Sequence, residues 1–239
     1  MTTGLIVGAT GGIGAACLAA LVGSAVSIVA TGRNADNLAE TVAGHEGAVP
    51  VIADIATDAG REAILSAVRA TGTPLRWAVI ASGAPLRGPL AELEPSDIAA
   101  TFQSNLVGPA LLLREMGGLD WAPNAALVVI GSVSANRALA NRSVYAASKA
   151  GLERLTLSIA AEWAPRGIRV TIVAPGVIAT PFLGNDRARL NKWTSERVPA
   201  GRAGEASEVG ELVRYVILDA PAYLLGTRIV IDGGTEAIA

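Results

Sequence analysis

The sequence predicts an α/β fold, a single doubly wound parallel sheet of about seven strands with helices on both faces, built by residues 1–239 as one domain. Three observations predict it. Seven apolar runs of strand length alternate with longer helix-compatible stretches, the pattern of βαβ units with right-handed crossovers. Hydrophobic residues make up 51% and charged residues 17%, which suits a sheet buried on both faces better than a half-exposed one. The 239 residues suffice for one large core, and no low-complexity linker divides them.

Strands are expected at 4–7, 26–30, 49–52, 77–81, 126–130, 169–173 and 228–231. Helices are expected at 12–23, 35–43, 58–71, 96–117, 144–164 and 205–219, with Asp58, Ser96 and Ser207 as N-caps. The apolar stretch 15–30 is split by Gly23 and Ser24 into a helix-length and a strand-length piece, each too short to span a bilayer. The alternation breaks at 181–203, where Pro181, Gly184, Pro199 and Gly201 flank a helix-compatible stretch over 185–197. Loops beyond strand C-termini line the ligand crevice of doubly wound sheets, so this insertion is expected to be a substrate lid. Its Phe182, Leu183, Leu190 and Trp193 form either an apolar lid or a subunit contact.

Composition excludes several function classes. Net charge is −2 with no basic runs, so neither nucleic acid nor an anionic membrane is an expected partner. Cys17 is the only cysteine, which leaves no intramolecular disulfide and no thiolate metal cluster; it is read as packing. Met1-Thr2-Thr3-Gly4 carries no positive charge before its apolar run, unlike a secretory signal, and a cytoplasmic protein is expected. His45, the only histidine, is read as solvated, Trp77 and Trp163 as core or interface, and no metal site is expected.

The first strand runs into Gly8-Ala9-Thr10-Gly11-Gly12-Ile13-Gly14. Glycines here let backbone approach a pyrophosphate and leave the N–H groups of the next helix free to face it. The spacing is Gly-x3-Gly-x-Gly and lacks the Gly-Lys-Ser/Thr of a triphosphate loop, which points away from a kinase or ATPase. After the second strand, where an acid would hold the 2′-hydroxyl of NAD, stand Arg33 and Asn34. Arg33 is either a partner for the 2′-phosphate of NADP or a solvated surface residue. Asp54, with Ile55 beside it, either accepts from an adenine amino group or caps the following helix.

The strongest local signal is Tyr145-Ala146-Ala147-Ser148-Lys149. Four residues apart on a helix, a phenol and an ammonium share a face, and a nearby cation favours phenolate, easing proton exchange with an alcohol or carbonyl oxygen. Ser132, at the end of the fifth strand, can reach the same crevice to bond a developing oxyanion, and Ser134 is its rival. Asn105 is a poor helix former within 96–117, and its amide is expected to hold a backbone group or a water.

With these residues the chain resembles the short-chain dehydrogenase/reductase family over nearly its whole length, in particular members like 3-oxoacyl-carrier-protein reductases. Gly8, Gly12 and Gly14 match its glycine turn, Asn105-Leu106-Val107-Gly108 its Asn-x-x-Gly, and Ser132, Tyr145 and Lys149 its serine and Tyr-x3-Lys. Pro175-Gly176-Val177-Ile178-Ala179-Thr180 is similar to the segment that contacts the nicotinamide carboxamide, and Ile231-Asp232-Gly233-Gly234 to the C-terminal Asp-Gly-Gly. The resemblance implies a Rossmann-type fold and a catalytic set in which Tyr145 exchanges the substrate proton. Lys149 would lower its pKa and bond the nicotinamide ribose, Ser132 would orient the carbonyl, and Asn105 would hold a relay water. It implies cofactor contacts from Gly8, Thr10, Gly12, Ile13, Gly14, Arg33, Asn34, Asp54, Ile55, Gly83, Tyr145, Lys149, Pro175, Gly176, Ile178 and Thr180, and a homotetramer or homodimer. One departure stands out: Ile80-Ala81-Ser82-Gly83 replaces Asn-Asn-Ala-Gly, removing asparagines that brace the neighbouring strands.

The expected function is NADP(H)-dependent reduction of a ketone to a secondary alcohol, or the reverse. Two alternatives are an NAD-dependent alcohol or diol dehydrogenase, against which Arg33 speaks, and a non-catalytic nicotinamide-binding sensor, which would have no use for Tyr145. Ser134, Asn136, Leu139, Val177 and Phe182, with Pro85 and Leu86, are expected to line a mostly apolar pocket for a small-molecule substrate.

Overall fold

A computed structural model describes residues 1–184 and 186–238. Strands β1 (Thr3–Val7), β2 (Ser27–Gly32), β3 (Ala48–Ile52), β4 (Leu75–Ile80), β5 (Trp121–Ile130), β6 (Arg169–Pro175) and β7 (Thr227–Ile231) form one parallel sheet in the order β3-β2-β1-β4-β5-β6-β7. Helices α1 (Gly12–Leu21), α2 (Ala35–Val42), α3 (Asp58–Ala70), α4 (Pro95–Phe102), α5 (Gly108–Met116), α6 (Ser143–Trp163), α7 (Arg187–Arg197) and α8 (Ala206–Leu218) complete the architecture. Among the described residues no helix is long and apolar enough to cross a membrane.

The sheet is apolar on both faces because successive strand residues point to opposite sides and each side meets helices. On β1, Leu5 and Val7 join a cluster with Ile64 and Leu65 of α3, Leu112 of α5 and Leu152 of α6. Ile6 between them joins the opposite cluster with Leu18 of α1, Leu38 of α2 and Val213 of α8. Trp77 of β4 is fully buried, donates its indole N–H to Ser24 Oγ at 3.1 Å, and crosses Gly4, where a Cβ would meet the ring at 2.2 Å. Cys17 is buried, and burial pushes its thiol up to about 12, so it packs and does not react. His45 is half-buried in the turn before β3. Of the strand prolines Pro50, Pro123 and Pro175, Pro50 lies on the edge strand β3, where a missing donor costs least.

β5 begins before its predicted start, at Trp121, because Asn124 adopts φ 56° and shifts the pairing with β4, so the uninterrupted apolar run starts only after it. All three predicted N-caps are displaced. Pro95, with φ already set for a helix, occupies the first turn of α4 and puts the cap at Glu94. Thr57 caps α3 by accepting from Gly60 N at 3.0 Å, and Glu205 caps α8 in a reciprocal box with Glu208.

The stretch predicted as one helix over 96–117 is interrupted by a π turn at Gln103–Val107. Pro109 explains it, because it has no N–H for the carbonyl of Asn105 four residues back and its ring crowds that carbonyl. Gly108 in the same turn approaches Ile55 O so closely that a Cβ would sit 2.6 Å from it.

Candidate active site

The sheet order reverses between β1 and β4, and a crevice is expected outside the strand C-termini at that point. Gly8 follows β1 with φ 86°, and a Cβ on Gly14 would lie 2.1 Å from Gly8 O, so the turn requires glycine at both positions. The α1 N-cap, Gly11, offers no side-chain acceptor, and the first helical turn carries no acid. Its N–H groups are therefore left for an anion. Across the crevice Thr180 packs against Gly12, where a Cβ would meet the threonine methyl at 2.5 Å. Ile13 is half-buried beside it.

The end of β2 is tied to this turn. Ala9 N donates to Thr31 O at 2.8 Å, Gly8 N donates to Thr31 Oγ1 at 3.3 Å, and Thr10 packs on Gly32. Arg33 follows, exposed, with no carboxylate within salt-bridge reach among the described residues. Asn34 has a local task, since its side chain caps α2 by accepting from Asn37 N at 2.9 Å. Asp54 turns back on its own loop, accepting from Ala56 N at 2.9 Å, and does not cap α3; Ile55 beside it is buried.

After β4 the pairing continues despite the missing asparagines, with Ala81 N donating to Val7 O at 2.9 Å. The Ser82 hydroxyl is buried with no hydrogen-bond partner, and Ser82 backbone lies against Gly8. An orphaned donor beside a bare glycine turn and an uncapped helix fits a dinucleotide with its ribose and phosphates, and at the neighbouring Gly83 a Cβ would lie 3.3 Å from Lys149 Nζ. Gly176 has a different role, since a Cβ there would meet Asp232 at 2.6 Å. Pro175 pairs with Ile231, and Ile178 bridges to Gly204. Asp232 itself accepts from Gly234 N and Glu236 N, closing the loop after β7.

Tyr145, Lys149 and Ser132 meet at the end of β5, and all three are buried. Tyr145 is pushed up by burial, and Glu153 adds to this; a hydrogen bond with Ser132 and the charge of Arg142 pull it back toward phenolate. Ser132 Oγ accepts from Ser134 N at 3.1 Å, which leaves its own hydrogen for Tyr145 or a ligand oxygen. Between the two rival serines, Ser132 thus presents the hydroxyl and Ser134 holds it in place.

The Lys149 ammonium donates to Ile130 O at 3.0 Å, and the groups drawing Tyr145 toward phenolate are Ser132 and Arg142. Burial lowers Lys149 to about 8, opposed by Glu153 one turn further along α6. Asn105, fully buried in the π turn, holds a backbone group, one of its two expected partners. Its Oδ1 accepts from Ala84 N at 2.7 Å and Ser104 Oγ at 3.3 Å, and its Nδ2 donates to Ala84 O at 3.0 Å and Ser148 Oγ at 3.1 Å. Ser104 Oγ has one hydrogen to give and also faces Ala100 O at 2.9 Å, so the side chain clamps the loop after β4 chiefly through Ala84.

Two residues that the sequence reading missed bracket Ser132. Glu153 accepts from Ser132 N at 2.9 Å, and Arg228 of β7 donates to Ser132 O at 3.2 Å. The two are joined to each other by Arg228 Nε and Glu153 Oε2 at 2.9 Å, and Arg228 also reaches Glu236 at 2.8 Å. A Cβ on Gly131 would lie 2.2 Å from Glu153 Oε1, so the carboxylate fits only beneath a glycine. The available signals were an acid four residues after Lys149 on the same helix face and an arginine in an apolar last strand.

The expected substrate side is only partly assembled. Phe182 is half-exposed with its ring 5.8 Å from that of Tyr145, whereas Trp193 of α7 is exposed beneath Arg197 at 5.3 Å. Asn136 and Leu139 are exposed beyond β5, and so is Pro85 beyond β4, with Leu86 half-buried. Val177 borders a cavity of about 70 Å³ shared with Asp232 and Gly204, which none of Asn105, Ser132, Tyr145 and Lys149 lines. Asn185, at the start of the predicted lid helix, lies outside the described residues.

A family model described as enoyl-(acyl carrier protein) reductase matches residues 8–236. The chain is 33% identical to a cis-4-hydroxycyclohexanecarboxylate dehydrogenase of Sinomonas cyclohexanicum, over 98% of this chain and 96% of that one. It is similar to a short chain dehydrogenase from Burkholderia cenocepacia in complex with NADP, with TM-score 0.89, 30% identity, and 98% and 97% of the two chains covered. A 3-oxoacyl-[acyl-carrier protein] reductase from Brucella melitensis in complex with NAD superposes with TM-score 0.89 at 27% identity, covering 100% of this chain and 98% of that one.

Proposed function

The chain belongs to the short-chain dehydrogenase/reductase family, nicotinamide-dependent oxidoreductases of alcohols and carbonyls, and from that premise we propose that it reduces a ketone to a secondary alcohol with NADPH, or runs the reverse reaction. The observation that carries this reading is the buried Tyr145 phenol gathered with the buried Ser132 and Lys149 at the end of β5, beside the crevice of the glycine turn. The relative from Sinomonas is named for a substrate whose hydroxyl sits on a secondary carbon, in line with it.

Gly8, Gly12, Gly14 and the first turn of α1 would hold the pyrophosphate, Thr180 and Ile178 the nicotinamide end, and Lys149 and Gly83 its ribose. When bound, the nicotinamide supplies or accepts the hydride. Tyr145 gives its phenolic proton to the carbonyl oxygen in reduction and takes it from the alcohol in oxidation. Ser132, oriented by Ser134 N, Glu153 and Arg228, donates to the same oxygen as charge develops on it. Phe182, with its ring 5.8 Å from that of Tyr145, would border this oxygen. Asn105 positions the loop that carries Gly83.

Arg33 supports NADP over NAD, since it is exposed beside the turn, has no acidic partner, and stands where NAD-binding chains need an acid. NADPH is expected to bind at least about tenfold more tightly than NADH, and Arg33→Ala to abolish that preference, as followed by nicotinamide fluorescence. Tighter binding of NADH, or a preference that survives the mutation, would move the assignment to the NAD-dependent alcohol dehydrogenase.

The pH dependence of that affinity follows from Lys149, which loses its proton at about pH 8 in the free protein. If the ribose and phosphates favour the ammonium, binding takes up a proton above that value. NADPH affinity is therefore expected to be constant below about pH 7 and to weaken by up to about tenfold per pH unit above 8. A flat profile between about pH 7 and 9.5 would separate Lys149 from the cofactor.

A further inference from the structure

Arg142 stands immediately before α6, with its guanidinium carbon 6.0 Å from the centroid of the Tyr145 ring. Arg87 lies in the loop after β4. The two loops are tied by Gly88 N donating to Asn141 O at 3.1 Å, next to each arginine, with Asn141 held at φ 63°. Arg142 is half-buried, and its charge is disfavoured first by burial and then by Arg87, while Tyr145 favours it. Neither arginine has a salt-bridging carboxylate among the described residues, although the chain as a whole carries net negative charge. Arg142, half-buried over a phenol, and the exposed Arg87 on the adjoining loop, neither with a salt-bridging carboxylate among the described residues, form an anion site.

Resting on the ketone-reductase reading above, we propose that the substrate carries a carboxylate a few bonds from its reacting carbon, gripped by Arg142 and Arg87. The position decides the class. An anion on Arg142 is within one small molecule's length of the Tyr145 hydroxyl, so it belongs to the reacting molecule; the phosphate of a carrier arm would lie much further from the carbonyl. Recognition at this rim also changes the expected character of the pocket, from mostly apolar to cationic beside Arg142.

The test separates binding from turnover. Pentanoate and pentanamide, which have no reducible carbonyl of the required kind, are titrated against the protein by ligand-observed NMR. Levulinate and its methyl ester are then compared as substrates with NADPH. Pentanoate is expected to bind at least about tenfold more tightly than pentanamide, with the preference falling to about one in Arg142→Gln and narrowing in Arg87→Gln. Levulinate should exceed its ester in kcat/KM by a similar factor, with the same collapse in the variants. Equal binding of acid and amide, or a preference untouched by both substitutions, overturns the proposal even if the ester is reduced. Arginine-dependent preference for pentanoate with no reduction of either ketone upholds the anion site and removes the ketone-reductase reading instead.

Discussion

Tyr145→Phe is expected to lower kcat by about 10²–10⁴-fold while the protein stays folded and binds NADPH. The substitution removes one oxygen and keeps the ring, so the contacts of the phenol with Phe182 and the half-buried Arg142 persist. What disappears is the proton donor and the bond to Ser132, and a single hydrogen bond of this kind contributes about 1 kcal/mol to stability, well within what a domain tolerates. Single-turnover reduction followed at the nicotinamide absorbance, with fluorescence titration of NADPH alongside, measures both effects. Retained turnover would assign the proton to another group. Loss of binding together with turnover would mean that Tyr145 serves the cofactor and not the chemistry. A sensor built on this fold would keep its response in the variant, since binding without proton transfer needs no phenol.

The second large effect is expected at Glu153. Its replacement by alanine strands Arg228 with Glu236 alone, leaves Ser132 N without an acceptor, and takes away the charge that supports Lys149. Breaking a buried ion pair from one side costs about 3–5 kcal/mol, which for a chain of this size lowers Tm by about 10 °C. Activity should fall further than stability explains, because the Ser132 N–H loses its acceptor. Glu153→Gln keeps an acceptor for Ser132 N but no charge, so it should recover kcat more than it recovers Tm. Both variants should also move the weakening of NADPH affinity to lower pH, since Glu153 is the group that holds Lys149 up. A loss of Tm with kcat and the pH profile unchanged would make Glu153 a purely structural residue.

The fold was legible because each strand is a compact apolar run between helical stretches, a signal that survives errors of a few residues at either end. Caps were not legible in the same way. A cap depends on the residue at which the helix starts, and Pro95, Thr57 and Glu205 each moved that start past a plausible serine or aspartate. The π turn left a trace, Pro109 four residues after Asn105, but a proline alone does not say whether a helix kinks, ends or widens. Within the site, motif spacing brought out the residues carried on one strand end and one helix, such as Ser132, Tyr145 and Lys149. It missed Arg228 and the pair Arg87 and Arg142, whose partners lie 96 and 55 residues away in sequence and meet only through the order of the sheet and the approach of two loops. It gave no sign that Asn34 caps α2, while the backbone partner expected for the Asn105 amide is Ala84.

The reach of Arg228 has a consequence for the order in which the molecule matures. Chains are synthesised from the N-terminus, and β7 is the last strand to emerge. The strands carrying Gly8, Ser82 and Ser132, and the helix carrying Tyr145, can associate before it arrives, yet the carbonyl of Ser132 and the carboxylate of Glu153 meet their guanidinium only once β7 has docked beside β6. A nascent or C-terminally clipped chain that lacks β7 therefore holds an incompletely set Ser132 and a buried carboxylate without the Arg228 cation, so the strand furthest along the chain among those described is also the one that completes the proposed active site.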